Sequence, residues 1–345
     1  MTFRPLSSLL AVSFSAALGC AAPATDPYPV PPDGPPQLSW CVGAPFTPAL
    51  AQGWDHLASE LVAALGSPGH SMQDVLATPG AAVVVRGKFA YGSISKDLEG
   101  ERIRLYLDDC SGWRSVGEAT TSSDGRVAFA LAETLAVGVY DVRLEALGDA
   151  SVAPGRIWVL PAGTRLAIAD IDGTLTTSDE ELVQDVLTDL FAPIFSGDDV
   201  PSAWPGGAAL THALADRGWV VVYLTGRPYW LTGKTRDWLS AGGFATGALH
   251  TTDSNSEALP IESSVGAYKL AFLEGLEAQG FVLDQAYGNA TTDVFAYGGA
   301  GISPERTWII GPNAGVGGTR AVDGSWQPRA DEVLAGAAIV QPFSR

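Results

Sequence analysis

Two aspartates stand two positions apart where the apolar stretch RLAIAD ends, and Gly173 and Thr174 follow them. At the end of a buried strand the carboxylates of Asp170 and Asp172 repel each other, and a bound divalent cation would relieve that repulsion. Such a cation would also shield an incoming phosphate, whose charge opposes attack by an anionic nucleophile. The motif therefore predicts a Mg²⁺ site in which Asp170 is placed to attack phosphorus and form an aspartyl-phosphate.

Further polar residues follow other apolar or helical stretches in the second half of the chain. They are Thr225, Gly226 and Arg227 in WVVVYLTGR, Lys269 in GAYKLAFLEGL, and Asn289 and Asp293 in DQAYGNATTD. A threonine hydroxyl can donate to a phosphoryl oxygen, and a lysine ammonium stabilises the charge of a phosphoryl-transfer transition state. Each motif alone also fits a turn, a helix cap or a solvated helix face, but their order along the chain argues against coincidence.

These blocks resemble, in their order, the four motifs of the haloacid dehalogenase (HAD) superfamily of phosphatases. The sequences DIDGTLTTSD and GNATTDVFAY are moreover similar to those of the catalytic, LNS2-type region of the lipins, the Mg²⁺-dependent phosphatidate phosphatases. The resemblance covers roughly the second half of the chain. It implies that Asp172 protonates the leaving oxygen and later activates water, while its backbone carbonyl binds the metal beside Asp170. Asn289 and Asp293 would complete the metal site directly or through water.

The resemblance also implies a phosphate-binding set around the catalytic residues Asp170, Asp172, Thr225 and Lys269. That set consists of Gly173, Thr174, Gly226 and Arg227. Backbone N–H groups after Asp170, at a strand-to-helix turn, would add donors. Arg227 is open to two interpretations, because it could contact phosphate or brace its loop. TGRP departs here from the Ser-Ala-Arg wording typical of the lipins.

The elements that must position these residues are parallel strands. RLAIAD, WVVVYLTG, DQAYGN and TWIIGP each end in a polar or glycine-containing tip, which is typical of a doubly wound sheet whose ligands bind at the strand ends. We predict an α/β, HAD-like Rossmannoid sheet over residues 161–345, with Asp170, Thr225 and Asn289 on adjacent strands and Lys269 pointing in from a helix. The stretches 175–215 and 239–264 are too short for a globular cap, which predicts a capless or minimally capped site.

The first half of the chain has a different texture. AAVVVRGKFAYG, RIRLYLDD, RVAFALAE and VYDVRLEAL predict a small antiparallel β-sandwich over residues 81–160, with an Asp-Gly hairpin turn in SSDGR. Residues 39–80 are expected to form a short helical segment, and residues 21–38 a proline-rich linker. In the segment 39–80, leucines and a tryptophan recur at helical spacing, and we expect them to pack against the folded domains: Leu50, Trp54, Leu57, Leu61 and Leu65.

The first 20 residues fit a bacterial lipoprotein signal peptide. Arg4 precedes an apolar stretch, and AALGC predicts cleavage before Cys20 and its acylation, although an ordinary secretory signal is an alternative. Export would allow Cys41 and Cys110 to form a disulfide, the alternative being two unpaired buried cysteines. The predicted location is a lipid-anchored, periplasmic or cell-surface one, and Ala21 favours the outer membrane over the inner.

Composition excludes one class of partner. The chain of 345 residues has 20 Lys and Arg against 38 Asp and Glu, a net charge of −18, which argues against nucleic acid binding. The histidines have no paired spacing for zinc and receive no role; they are His56, His70, His212 and His250.

The resemblance therefore implies a Mg²⁺-dependent phosphomonoester hydrolase that acts through an aspartyl-phosphate. Its expected substrate is phosphatidate or a related phospholipid at a membrane surface, with diacylglycerol and phosphate as products. Two alternatives stay open: a phosphatase of soluble or surface phosphomonoesters, and a non-catalytic phosphatidate-binding module.

Overall fold

The computed structural model describes residues 40, 45–92, 95–177, 201–253 and 262–343. The predicted signal peptide, the proline-rich linker, Cys20 and Cys41 lie outside these residues. Cys110 is disulfide-bonded, so the expectation that it pairs with Cys41 remains a prediction. None of the described helices combines the length and the apolar character that crossing a membrane requires.

The first domain is a β-sandwich, as predicted. One sheet has the order β1 (Ser71–Met72), β3 (Val84–Lys88), β8 (Arg126–Ala130). The other has the order β2 (Val75–Ala77), β10 (Val152–Val159), β9 (Gly138–Ala146), β6 (Arg102–Asp108), β7 (Trp113–Thr120). All pairs are antiparallel except β2 with β10. A two-stranded ribbon, β4 (Ala90–Tyr91) and β5 (Lys96–Asp97), lies beside them. Alternating side chains such as Ile103, Leu105 and Leu107 point into one core between the sheets.

Two details of the sandwich differ from the sequence-based predictions. The domain begins at Ser71 rather than at residue 81, because β1 and β2 pair with later strands of the two sheets. The Asp124-Gly125 turn does not close a hairpin: β7 pairs with β6 while β8 pairs with β3, so the turn carries the chain from one sheet to the other. That crossing allows each strand to bury its apolar side chains against the opposite sheet.

The prediction that the leucines before the sandwich pack against the folded domains is wrong. Helix α1 (Leu57–Ala63) is short, and the leucines expected to be buried are exposed at 92%, 86%, 72% and 54% for Leu50, Leu57, Leu61 and Leu65. Trp54, Val62 and Ala63 pack against the core instead. Glu101 fixes this orientation because its buried carboxylate accepts the backbone N–H of His56 at 3.0 Å.

The second domain is the predicted α/β domain with a parallel sheet. Its strand order is β13 (Ala248–Thr252), β12 (Val220–Pro228), β11 (Arg165–Ala169), β14 (Val282–Gly288), β15 (Thr307–Ile310), β16 (Arg320–Val322). Every pair in it is parallel. Two strands were not predicted from the sequence: β13, which lies in the stretch 239–264, and β16. Residues 178–200 and 254–261, where a cap would be inserted, lie outside the described residues, so the minimal cap remains a prediction.

Helices cover both faces of this sheet. They are α2 (Gly207–Asp216), α3 (Thr232–Ala241), α4 (Glu262–Ala278), α5 (Thr291–Gly299) and α6 (Gln327–Ala335). The helices α2, α3 and α6 bury residues such as Leu214, Leu239 and Val333 in one core. The helices α4 and α5 bury Leu273 and Tyr297 in the core on the other face. Because both faces are covered, the strands are continuous apolar runs rather than alternating ones.

The two domains share a core and a sheet edge. Leu76 and Trp158 of the sandwich belong to the same apolar cluster as Ile168 of the α/β domain. Gln73 acts as an extra partner for the edge strand β13: its side chain donates to the carbonyl of Thr251 at 2.6 Å and accepts the Thr251 N–H at 3.1 Å.

The buried carboxylate of Asp74 makes the other edge contact. It accepts the N–H of Leu249 at 2.9 Å and a guanidinium N–H of Arg236 at 2.6 Å. Backbone groups on the outer edge of β13 therefore form hydrogen bonds with Gln73 and Asp74 of the sandwich.

Candidate active site

The turn after the central strand β11 carries the first group of candidate residues. Asp170 follows β11 directly, and its N–H donates to the carbonyl of Tyr287 in β14 at 3.0 Å. The chain then turns sharply, with Gly173 at φ +70°. A Cβ at that position would lie 2.0 Å from the side-chain nitrogen of Asn289. Glycine is therefore required both for the backbone conformation and for the close approach of Asn289.

Lys269 enters from α4 and joins two carboxylates. Its ammonium lies 2.7 Å from Oδ1 of Asp170 and 2.6 Å from Oδ1 of Asp293, and all three side chains are buried. Burial raises the pKa of the Asp170 carboxyl to about 7, although the charge of Lys269 opposes this. Burial disfavours the Lys269 ammonium, but the two carboxylates outweigh that effect and raise its pKa. The site thus holds one cation between two acidic groups.

Thr174 and Asp293 fix the position of Asn289. The hydroxyl of Thr174 lies 2.8 Å from Oδ2 of Asp170 and 3.0 Å from Oδ1 of Asn289, so both oxygens meet at one hydroxyl. The other carboxylate oxygen of Asp293 accepts the backbone N–H groups of Asn289 and Ala290, each at 3.0 Å. Asp293 therefore uses both of its oxygens on the protein, whereas Asn289 presents its amide oxygen beside Asp170.

Asp172 belongs to a second cluster with residues of β12. Thr225 donates its hydroxyl to Oδ2 of Asp172 at 3.0 Å. Arg227 donates to both oxygens of the same carboxylate, at 2.7–3.0 Å. Arg227 also donates to Thr235 at 3.1 Å, so its guanidinium is committed to the protein. The guanidinium of Arg227, for which phosphate contact and bracing of its loop were both left open, thus contacts Asp172 and Thr235.

Gly226 is placed between these residues and α4. A Cβ there would lie 3.0 Å from the Val265 side chain, so the residue allows α4 to approach the end of β12. The structure thus brings the predicted catalytic, phosphate-binding and metal-binding residues to the carboxyl ends of β11, β12 and β14, with Lys269 added from α4 and Asp293 from α5. Asp170, Thr225 and Asn289 lie on adjacent strands.

Three residues that the sequence did not identify hold the backbone of the site. Trp204 donates its indole N–H to the carbonyl of Gly173 at 2.9 Å, and Trp326 donates to the carbonyl of Thr174 at 2.7 Å. Asn313 donates its amide N–H to the carbonyl of Asn289 at 2.9 Å. None of them lies in a recognisable motif, so their contacts could be found only in the folded chain.

The donor set of the site fits Mg²⁺ in its chemistry. The oxygens of Asp170 and Asn289, with the Asp172 backbone carbonyl, are the hard ligands that Mg²⁺ prefers. Within the described ranges, no group of three or more His, Cys, Asp or Glu side chains is arranged to hold a metal. A metal here would therefore depend on an amide and a backbone oxygen as well as on carboxylates.

Two family models match the two domains of the chain. Residues 167–311 match the family model described as the LNS2 domain of PITM 1-3, and residues 68–159 match the PITM 1-3 beta-sandwich domain. A carbohydrate acetylesterase structure from Xanthomonas citri aligns with a TM-score of 0.26 and 10% identity, over 84% of this chain and 74% of that chain.

Several curated proteins are similar in sequence. Mouse membrane-associated phosphatidylinositol transfer protein 2 is 27% identical over 273 residues, which are 77% of this chain and 19% of that protein. Human membrane-associated phosphatidylinositol transfer protein 1 is 27% identical over 290 residues, 80% of this chain and 21% of that protein. Drosophila protein retinal degeneration B is 23% identical over 249 residues, 70% of this chain and 18% of that protein. The chain thus spans about a fifth of the length of these relatives.

One expectation is corrected by these matches. The prediction of an exported bacterial lipoprotein in the outer membrane is wrong, because the similar proteins are animal proteins named as membrane-associated phosphatidylinositol transfer proteins. An apolar stretch that ends in small residues and a cysteine is a short pattern, and such a pattern arises easily by chance. The resemblance to the lipin-type domain, which extends over many more residues, is confirmed. Residues 167–311 are thus similar to the LNS2 domain of the PITM 1-3 proteins, and residues 68–159, in front of them, are similar to the beta-sandwich domain of the same proteins.

Proposed function

We propose that the strand-tip site, formed by Asp170, Asp172, Thr225, Lys269 and Asn289, binds the phosphomonoester headgroup of an anionic phospholipid. Phosphatidate is the simplest such lipid, and Mg²⁺ is the proposed cofactor. The observation that carries the proposal is the position of Lys269, a buried cation held 2.7 Å from Asp170 at the carboxyl end of a parallel sheet. The names of the relatives, which describe phosphatidylinositol transfer and membrane association, support a phospholipid as the class of ligand.

The metal would be held by the oxygens of Asp170 and Asn289 and by the backbone carbonyl of Asp172. When bound, Mg²⁺ supplies positive charge that offsets the charges of the carboxylates and of the phosphate. Asp293 acts through Asn289, because both of its oxygens already accept hydrogen bonds from Lys269 and from backbone N–H groups. Of the two residues, Asn289 is thus the one proposed to contact the metal directly.

The chain's own donors would hold the phosphate. Lys269 offers an ammonium, Thr225 offers a hydroxyl at the end of β12, and the turn after Asp170 offers backbone N–H groups. Thr225 now donates to Asp172. A bound phosphoryl oxygen would compete with that carboxylate for the same hydroxyl.

Hydrolysis is the second candidate, and the presence of both Asp170 and Asp172 favours it. An oxygen of Asp170 would bond to phosphorus while the bond to the diacylglycerol oxygen breaks, and Asp172 would deliver the proton to that oxygen. Water would then cleave the aspartyl-phosphate and release inorganic phosphate. Both oxygens of Asp172 are, however, engaged by Arg227 and Thr225. This engagement favours headgroup binding over turnover as the main proposal.

The test compares binding and phosphate release in one series. The full chain is sedimented with phosphatidylcholine vesicles that contain or lack phosphatidate, in Mg²⁺ or in EDTA. We expect phosphatidate-dependent and Mg²⁺-dependent sedimentation that is lost in Asp170→Asn and kept in Asp323→Asn, a matched change at an exposed aspartate. Equal sedimentation of Asp170→Asn and wild type would contradict the proposal.

Phosphate release from the same vesicles, and from glycerol 3-phosphate as a soluble phosphomonoester, separates the candidates. Binding without release supports a binding module. Release from phosphatidate alone supports a lipid phosphatase, and release from both supports a broader phosphatase. Turnover that persists in Asp170→Asn would rule out the aspartyl-phosphate route.

A further inference from the structure

A cleft lies where the two domains meet, apart from the site around Asp170. It has a volume of about 370 Å³ and is bounded on one side by the sheet β1–β3–β8 of the sandwich. On the other side it is bounded by Tyr229 and Asp253, which follow the ends of β12 and β13. Residues of both domains therefore form this cleft, and none of the strand-tip residues lines it.

Three cationic side chains share the face of the sheet that lines the cleft. Lys88 is opposite Arg126 in the register of β3 and β8, and Arg86 lies two residues before Lys88 on the same face. The alternate residues Val85 and Val127 are buried in the sandwich core. The strand period of two therefore directs all three cations away from the core and towards the cleft.

The charge of the cleft runs against that of the chain. The chain has 38 acidic and 20 basic residues, yet the cleft is lined by three cations and one carboxylate, that of Asp253. Ser71, Gln73 and Ser122 add polar groups to its walls. Cations that face one cleft repel one another, and a bound anion would relieve that repulsion.

The existing partners leave two arginines available. Lys88 is held by Asp97 at 2.7 Å and lies over the ring of Tyr229, so it has a structural contact already. Arg126 uses one terminal nitrogen on the carbonyl of Asp253. Arg86 is exposed and forms no ion pair with any residue that the structure describes. Arginine forks match phosphate oxygens in geometry, so phosphate is the anion that this pair fits best.

The cleft is joined to the strand-tip site through β12. Tyr229 follows Arg227 by two residues, and Thr252, the neighbour of Asp253, donates its hydroxyl to the carbonyl of Arg227 at 3.3 Å. We propose that this cleft is a second phosphate-binding site, in which Arg86 and Arg126 bind a phosphate group of an anionic ligand. The proposal goes beyond the strand-tip function and does not depend on it.

The test is made in EDTA, so that Mg²⁺-dependent binding at Asp170 does not contribute. Soluble inositol 1,4,5-trisphosphate is titrated into the full chain by calorimetry, and vesicles of phosphatidylcholine with or without phosphatidylinositol 4-phosphate are sedimented with it. Arg86→Gln/Arg126→Gln is expected to weaken binding about a hundredfold, since each of the two lost charge-assisted contacts costs about one decade. Binding should also weaken as NaCl is raised.

The control is Arg104→Gln/Arg320→Gln, which removes the same charge from β6 and β16, outside the cleft. If the cleft variant loses binding of the trisphosphate, a phosphate group suffices as the ligand. If it loses binding of the vesicles but not of the trisphosphate, the phosphate must be carried by a lipid. The proposal is overturned if wild type binds neither probe, or if the cleft and control variants lose binding equally. If the double cleft variant does not fold, the single variant Arg86→Gln, at an exposed residue, carries the same test with the trisphosphate.

Discussion

Arg227 holds Asp172 in a fork: Nε lies 2.9 Å and a terminal nitrogen 2.7 Å from Oδ1, and Nε is also 3.0 Å from Oδ2. The guanidinium is nearly buried and lies over the ring of Trp238 with its central carbon 6.0 Å from the ring centre. The orientation of Asp172 is therefore set by the protein before any ligand arrives.

Removal of this fork should be costly. Arg227→Ala leaves the half-buried carboxylate of Asp172 with only the Thr225 hydroxyl among the residues that the structure describes, and we expect a loss of roughly 2–4 kcal/mol in the free energy of unfolding. Arg227→Lys should recover only part of it, because an ammonium cannot form the fork. A double-mutant cycle with Asp172→Asn, measured by urea denaturation, should give a coupling above about 1 kcal/mol. A coupling near zero would show that the pair contributes little.

Lys269→Met tests the buried cation. The variant leaves Asp170 and Asp293 without their shared ammonium, so we expect a loss of roughly 3–5 kcal/mol in the free energy of unfolding. Added Mg²⁺ should raise the melting temperature more in this variant than in wild type, because a divalent cation can replace part of the missing charge. Lys234→Met, at an exposed position on α3, is the control. An Mg²⁺ effect equal to that in wild type would contradict the proposed metal position.

Gly173→Ala separates backbone strain from the clash with Asn289. Both Gly173 and Gly324 have positive φ, at +70° and +61°, but only at Gly173 would a Cβ meet another side chain. Gly324→Ala should therefore cost about 1 kcal/mol, the strain alone. Gly173→Ala should cost more and should also abolish Mg²⁺-dependent phosphatidate binding. Thermal unfolding and vesicle sedimentation of the two variants measure the difference, and equal behaviour would argue against the close contact.

Trp326→Phe removes one indole N–H and keeps an aromatic ring. Because that N–H donates to the Thr174 carbonyl at 2.7 Å, we expect a loss of about 1–3 kcal/mol and weaker Mg²⁺-dependent binding at the strand tips. Trp158→Phe is the matched control, since the Trp158 Nε1 has no hydrogen-bond partner among the residues described. If both variants bind phosphatidate as wild type does, Trp326 does not position the site.

His70 should make the stability depend on pH. Burial lowers its pKa from the usual 6.5 to about 4, although Asp149 opposes the shift. Between these values the unfolded chain binds a proton that the folded chain excludes. The stability contribution is therefore complete above pH 6.5 and declines by up to about 3 kcal/mol as the pH falls towards 4.

The measurement is urea unfolding of wild type and His70→Gln between pH 4 and 7. The variant should show a shallower decline over this range, because glutamine does not titrate. A remaining decline is expected, since burial also lowers the pKa of His250, to about 3. Identical slopes for the two proteins would contradict the assignment to His70.

Local sequence was sufficient for the strand tips and insufficient for what surrounds them. Asp170, Thr225 and Asn289 could be placed because each ends a run of apolar residues, and parallel strands bring such ends together. Trp204 and Trp326 contact the same turn from distant parts of the chain, and an indole that donates to a carbonyl leaves no pattern in sequence.

The leucines of α1 show the opposite failure, in which a clear pattern misled. Helical spacing identifies an apolar face but not the direction in which it points, and here the Glu101 contact with His56 turns that face outward. The junction between the domains was also beyond local reasoning. It depends on Gln73 and Asp74, which reach strand β13 across more than 170 residues of chain.

Because of that junction, we expect the sandwich and the LNS2 domain to be inherited together. Strand β13 is the edge strand of its sheet, and Gln73 and Asp74 cover that edge. Without them the edge would be exposed, and an exposed strand edge can pair with another chain. A gene fragment that encoded the second domain alone would produce a sheet prone to self-association. Recombination during evolution would thus be expected to move both domains together, which agrees with their matching two models of the same protein family.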